Sequence, residues 1–258
     1  LEKLMARQQN KLDRIIIGIK RLSKYTLKGL SYSAIIGRIN GPKVIMNSVP
    51  KSGTNLLNRV LMHLPGLRHK GIKTIRLWGE PDKPFLKKLS KINRGQYVEG
   101  HIQDSQDVFE LMHDNEIKGL IMIRDPRMVV LSHLSYVSNI DTTHRTHKFF
   151  SSLPDQDARL DAIIDGEEGV VASIGEVLSR YREWMNHDDV LLIRFEELIG
   201  PNGGGTKEAQ IKAITKIAKH LDLSISIQKI EQIAELIFSS NVPTFRSGQI
   251  DGWKGKFS

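Results

Sequence analysis

The sequence predicts an α/β fold of three layers, a central parallel sheet covered by helices on both faces. Three observations lead there. From Gly41 onward, short apolar runs of strand length alternate with stretches of helical period. The runs are continuously apolar, as strands buried on both faces are. With 258 residues, 40% hydrophobic and 26% charged, the chain also has the composition of a globular protein with a sizeable core.

The elements follow in order. Leu12, Ile15, Ile16, Ile19 and Leu22 recur at helical spacing among Lys11, Arg14, Lys20, Arg21 and Lys24, so residues 1–40 read as a basic amphipathic helical arm. It is expected to pack on the body with a solvated basic face, or to touch an anionic membrane surface or another domain. The apolar stretch is interrupted by charge and no small-residue cleavage pattern follows, which argues against a signal peptide. The chain opens on Leu1 rather than Met, as a trimmed chain would. Strands are expected at 43–48, 96–100, 119–124 and 190–195. Helices are expected at about 55–63, 83–93, 105–116, 127–138, 171–187, 207–221 and 226–239, before a Gly-rich tail without strands. Residues 140–169 are rich in Asp, Thr, His and Ser with weak periodicity, and an insertion of that length suggests a lid or substrate loop.

Several classes of protein are excluded. No apolar run approaches the roughly 18 to 20 residues of a membrane-spanning helix. Cysteine is absent, which removes disulfides, thiolate metal sites and cysteine nucleophiles; the cytoplasm is the default compartment. A net charge of +9 suggests nucleic acid until it is located. Residues 1–94 hold 21 Lys or Arg against 4 Asp or Glu, and the remainder 17 against 25. That split describes a basic arm and a locally positive cleft on a mildly acidic body, not a uniform polyanion-binding surface.

Two segments carry chemistry. Val44-Ile45-Met46-Asn47 runs into Ser48-Val49-Pro50-Lys51-Ser52-Gly53-Thr54-Asn55 and a helix near Leu56. A tight strand-to-helix turn directs backbone N–H groups and the positive end of a helix dipole at one point, where an anion binds. Lys51 adds a charge, and Ser52 and Thr54 add donors. The order differs from GxxxxGK(S/T), because Lys51 precedes the small pair instead of following a glycine. The second segment is Ile121-Met122-Ile123-Arg124-Asp125-Pro126, continuing through Arg127 to Ser132 and His133. Arg124 ends a strand, Pro126 fits a helix's first turn, and Ser132 lies about two turns further on. An Arg there can fork onto a phosphate.

Together with Phe245-Arg246-Ser247-Gly248-Gln249-Ile250-Asp251-Gly252-Trp253-Lys254, these segments resemble the sulfotransferases that use 3′-phosphoadenosine 5′-phosphosulfate (PAPS). The family's motifs are of types PKSGTTW, RxPxxxxxS and RKGxxGxWK, and order and spacing agree from about Lys43 to the end. Arg194-Phe195-Glu196-Glu197-Leu198 also resembles its YEDL segment, and the Gly203-Gly204-Gly205 loop looks like bacterial members.

The resemblance implies a P-loop-like sulfotransferase domain over 41–258, PAPS as donor, a hydroxylated acceptor (small molecule, lipid or glycan), no metal and no nucleic-acid partner. Lys51, His101 and Ser132 form the implied catalytic set. Lys51 would stabilise the leaving 5′-phosphate, which Ser52, Gly53, Thr54 and Asn55 would bind. Arg124 and Ser132 would hold the 3′-phosphate, with Arg246, Ser247 and Gly248 added from the tail. Leu56 and Phe195 occupy places where the family carries Trp and Tyr beside the nucleotide. His101 stands where the family's base stands, and an imidazole of ordinary pKa near 6.5 suits proton abstraction from an alcohol.

Departures accompany these matches. Leu56 removes an aromatic stacking surface, Phe195 lacks a hydroxyl, and Ser247 and Asp251-Gly252 alter the tail motif. Glu99 stands two residues before His101, where cytosolic animal members carry Lys. Glu80 is an alternative carboxylate base. His133 and His144 are expected as helix-surface and lid residues, where a lid His could touch an acceptor; Lys83, Lys87, Lys88, Lys91 and Arg94 as a solvated basic face or an attraction for an anionic acceptor; and Trp184 with Tyr181 as core. An ATP-dependent kinase on a related fold and a non-catalytic basic binding module are the rival functions; the order of Lys51 and Gly53 weighs against the first and the charge split against the second.

Overall fold

The computed structural model describes residues 37–237 and 248–257. The expected arm and the tail residues Arg246 and Ser247 lie outside the described residues, apart from the arm's last four positions. Six strands form one parallel sheet: β1 (Lys43–Ser48), β2 (Arg68–His69), β3 (Ile75–Leu77), β4 (Gln96–Ile102), β5 (Ile117–Ile123) and β6 (Val190–Arg194). Their order is β2-β4-β1-β5-β6, with β3 beside the far half of β4. β1 is central: Asn47 is level with Gly100 on one side and with Ile121 on the other. The chain leaves β1 toward β2 and β4 and later crosses to β5, which makes the carboxyl ends of β1 and β5 the switch point where α/β sheets bind ligands.

Alternation along the strands builds the layers. Val44, Met46, Leu120 and Met122 face one way, against α1 (Thr54–His63), α9 (Phe195–Leu198), α10 (Lys207–His220) and α11 (Ile227–Ile237). Ile45, Val98 and Ile121 face the other, against α2 (Lys83–Ser90), α3 (Gln106–Asp114) and the region of α7 (Ile174–Ser179) and α8 (Arg182–Asn186). Trp184 and Tyr181 are fully buried there, as expected. A third apolar cluster joins α4 (Pro126–Ser135) and its π-helical continuation (Tyr136–Ile140) to α5 (His147–Ser152) and α6 (Gln156–Ile164) through Val130, Leu134, Val137, Phe150, Leu160 and Ile163.

The differences from expectation have identifiable causes. β2 and β3 were not anticipated, because two- and three-residue strands are too short for periodicity and exist by pairing with β4. The single helix expected at 171–187 is two: Ser173 and Glu176 form a capping box at α7, and the Asp104 carboxylate accepts from the backbone N–H groups of Glu183 and Trp184 at 3.0 and 3.1 Å to start α8. Residues 140–169, expected as a lid or substrate insertion, carry two short helices, α5 and α6. Among the described residues, no helix is long and apolar enough to cross a membrane.

Candidate active site

Residues 49–53 connect β1 to α1. Val49 N–H donates to the Met122 carbonyl at 3.1 Å, which ties the turn to β5. Lys51 takes a positive φ of 71° and Gly53 one of 103°. Gly53 is also the N-cap of α1 and supplies no side-chain cap, so the first turn of that helix is open to an external acceptor. A Cβ at Gly53 would lie 2.6 Å from the Phe195 ring, so both space and backbone require glycine. Thr54 Oγ1 and Ser48 Oγ are 2.7 Å apart. Ser52 is fully buried, and its Oγ has no partner among the described residues.

His101 near the end of β4 is fixed from the same turn. Its Nδ1 lies 2.8 Å from the Ser48 carbonyl, and a carbonyl can only accept, so Nδ1 carries the proton and Nε2 keeps its lone pair. Asn47 clamps the two strand ends: its Nδ2 donates to the Ile102 carbonyl at 2.6 Å, and its Oδ1 accepts from Ile102 and Ser48 N–H groups at 2.9 and 3.0 Å. Burial pushes the His101 pKa below 6.5; the charges of Arg76 and Lys51 act in the same direction, against the Ser48 hydrogen bond and Glu99. Glu99 is buried and accepts from Thr74 Oγ1 at 2.6 Å. Arg76, level with His101 on β3, brings a cation to this side of the site. Glu80 is exposed just beyond β3.

Lys51 connects this group to the helices beyond. Its Nζ lies 3.2 Å above the centre of the Tyr136 ring. Its charge helps lower the pKa of His133 and His144 as well as His101. His133, expected on its helix surface, is instead half-buried, and burial, then Lys51 and His144, push its pKa down to about 4. A cavity of about 520 Å³ opens beside Pro50; Val129, His133, His144, Ile163, Val171 and Ile174 are among its walls.

At the end of β5, the Arg124 guanidinium stacks 3.9 Å from the centre of the Phe195 ring, and Nη2 donates to the Gln249 carbonyl at 3.0 Å. Burial lowers its pKa to about 10 against the opposing charges of Glu196 and Asp125, and its Nε is buried without a partner among the described residues. The tail is docked here. Arg127 pairs with Asp125 at 2.6 Å and lies 3.4 Å from the Trp253 ring centre, while Ile250 N–H donates to the Gly203 carbonyl at 2.9 Å. Gly203 permits that approach, since a Cβ would meet the Gly248 carbonyl oxygen at 2.4 Å.

The sequence-predicted residues thus fall into three places. Lys51, Ser52, Gly53 and Thr54 meet His101 at the ends of β1 and β4. Arg124, Phe195 and the tail from Gly248 gather at the end of β5. Ser132 is half-buried on α4 and Asn55 is exposed at the start of α1, while Leu56 is buried in the core. Asn47, Arg76 and Tyr136 had no sequence signal of their own. His133 had one, its position directly after Ser132.

A parallel sheet that collects cations and an oriented imidazole at the carboxyl ends of its strands has the layout of a group-transfer enzyme. A family model described as the sulfotransferase domain matches residues 41–258, and the chain belongs to that family. Among solved structures it is similar to mouse sulfotransferase SULT7A1 complexed with PAP, at 19% identity over 84% of this chain and 79% of that one, with a TM-score of 0.58. It is also similar to retinol dehydratase in complex with androsterone and the inactive cofactor PAP, at 13% identity over 83% and 76%, with a TM-score of 0.52. A retinol dehydratase complex with retinol and PAP matches at 14% identity over 90% and 81%, with a TM-score of 0.50. At these identities the likeness shows the fold. No curated protein matches the chain.

Proposed function

We propose that the enzyme moves a sulfuryl group from PAPS to an acceptor hydroxyl, with His101 as the base. The observation that carries this reading is the His101 Nδ1–H donated to the Ser48 carbonyl, which leaves Nε2 as the proton acceptor beside the anion-binding turn. The site fits a bis-phosphorylated donor. Buried polar atoms normally have partners, yet Ser52 Oγ and Arg124 Nε, at the ends of adjacent strands, have none among the described residues. Both are donors that phosphate oxygens would satisfy.

PAPS supplies an activated sulfuryl group on a phosphate leaving group. Lys51, Ser52, Gly53, Thr54 and Asn55 would hold the 5′ end; Arg124 and Ser132, with Arg246, Ser247 and Gly248, would hold the 3′-phosphate; and Phe195 would support Arg124. Lys51 puts a fixed charge where negative charge grows, an effect already prepaid by folding. His101 then takes the proton of the attacking hydroxyl, a contribution of typically ~10²–10⁴ in rate. The acceptor would enter from the cavity beside Pro50, whose aliphatic walls suit an apolar molecule of the kind that the androsterone and retinol of the retinol dehydratase structures represent. Calorimetry with PAP tests the donor site, and His101→Ala should keep PAP affinity while losing most turnover. Absence of PAP binding by the unaltered protein would overturn the assignment, and equal loss of binding and turnover in His101→Ala would make the histidine structural.

A further inference from the structure

We propose that His133 and His144 form a second imidazole site, in the wall of an apolar cavity, that grips the uncharged hydroxyl of an apolar alcohol. The proposal rests on the assignment of this cavity to the acceptor. Val129, Ile163, Val171, Ile174 and Val177 give it aliphatic walls, while Trp78, Arg145 and Arg180 are exposed at its rim. Thr146 also lines it, but its hydroxyl is 2.8 Å from His144 Nδ1. Apart from these exposed residues and Thr146, the two imidazoles are the polar side chains that line the cavity.

Their hydrogen bonding indicates what they take. The Thr146 backbone N–H donates to His144 Nδ1 at 3.3 Å, so in the neutral ring the proton sits on Nε2, which is a donor. His133 has no hydrogen bond to its ring nitrogens among the described residues. The rings stand edge to face with centroids 6.2 Å apart, and no hydrogen bond joins them. Burial pushes the pKa of both rings below the ordinary imidazole value, with the Lys51 charge acting the same way on each; at His144 the Asp141 carboxylate opposes and Arg145 assists. A donor on His144 and a neutral imidazole on His133 match a group that both accepts and donates. An alcohol does so; a carboxylate only accepts and an ammonium only donates. Lys51 stands against such an ammonium too, since its charge acts on both rings.

The test compares two probes of nearly equal shape, 2-naphthol and 2-methylnaphthalene, binding to the full chain and read by the fluorescence of Trp78, with Trp78→Phe assigning the signal. In the unaltered protein 2-naphthol should bind roughly 3- to 10-fold more tightly, the usual yield of a buried hydrogen bond. His133→Phe and His144→Phe should erase that preference while keeping 2-methylnaphthalene affinity, and His133→Gln should restore part of it. A preference unchanged in both Phe variants, or absent from the unaltered protein, overturns the proposal. PAP calorimetry on the same samples separates the two readings: failure to bind PAP refutes the donor assignment, whereas unchanged probe preference refutes the imidazole site alone.

Discussion

Gly53→Ala should damage both the stability of the domain and its grip on nucleotide. The residue lies at φ 103°, outside even the small left-handed well that other residues visit. Forcing alanine toward that region costs about 1–2 kcal/mol. The new methyl carbon would also meet the Phe195 ring at 2.6 and 3.1 Å and the Met122 methyl at 3.2 Å, and overpacking of this kind costs about 1–3 kcal/mol. The two effects give a loss of roughly 2–5 kcal/mol, a large part of the ~5–15 kcal/mol that holds a typical domain. Phe195 is also the platform under Arg124, so moving the ring displaces the cation at the end of β5. Urea unfolding followed by tryptophan fluorescence should show the lower midpoint, and calorimetry should show PAP affinity reduced more than tenfold. A loss under about 1 kcal/mol with unchanged PAP affinity would refute the reasoning, because it would mean the turn relaxes without moving Phe195.

Other outcomes follow from the same geometry. Asn47→Leu leaves the Ser48 and Ile102 N–H groups and the Ile102 carbonyl without partners; at about 1–3 kcal/mol each it should lower stability by several kcal/mol in urea titration and reduce turnover more than PAP affinity. Arg124→Lys keeps the charge but loses the planar fork and the stacking on Phe195, so PAP affinity should fall about 10- to 100-fold by calorimetry. As the proposed base, His101 acts in its neutral form and its pKa is held below 6.5, so kcat/KM should stay level through neutral pH and fall only on acidification below 6.5, a limb absent from the residual activity of His101→Ala. His133 at about 4 contributes stability that is complete above its unfolded pKa of 6.5 and lost as pH falls toward 4, by up to about 3 kcal/mol. His101 and His144 shift in the same direction, so His133→Phe should flatten part of the acid-induced loss, measured as Tm against pH.

What could be read from the sequence was whatever is local. β1, β4, β5 and β6 are continuous apolar runs, and the turn from Ser48 to Asn55 announces itself by composition. What escaped depends on residues far apart in the chain. Asp104 starts a helix about 80 residues away, which no period within 171–187 can reveal. Asn47 reads as one polar residue in a strand, and only the pairing of β1 with β4 makes it a clamp. His133 sits on a helix facing solvent in any sequence projection, until α5 and α6 pack over that face and enclose it. Arg76 acquires meaning only through its level with His101 on a strand too short to predict.

Most of the cavity's aliphatic wall residues lie in 163–177, whereas the turn after β1, His101 and Arg124 all hang on strand ends tied by Asn47 and by the Val49 link to β5. On the proposed assignment of this cavity to the acceptor, selectivity and chemistry are carried largely by different parts of the chain. Substitutions in the aliphatic walls can reshape what the cavity accepts without moving the reacting groups. This enzyme should tolerate changes of diet at little cost to its turnover number, and directed variation of Ile163, Val171, Ile174 and Val177 is where new acceptors would be found first.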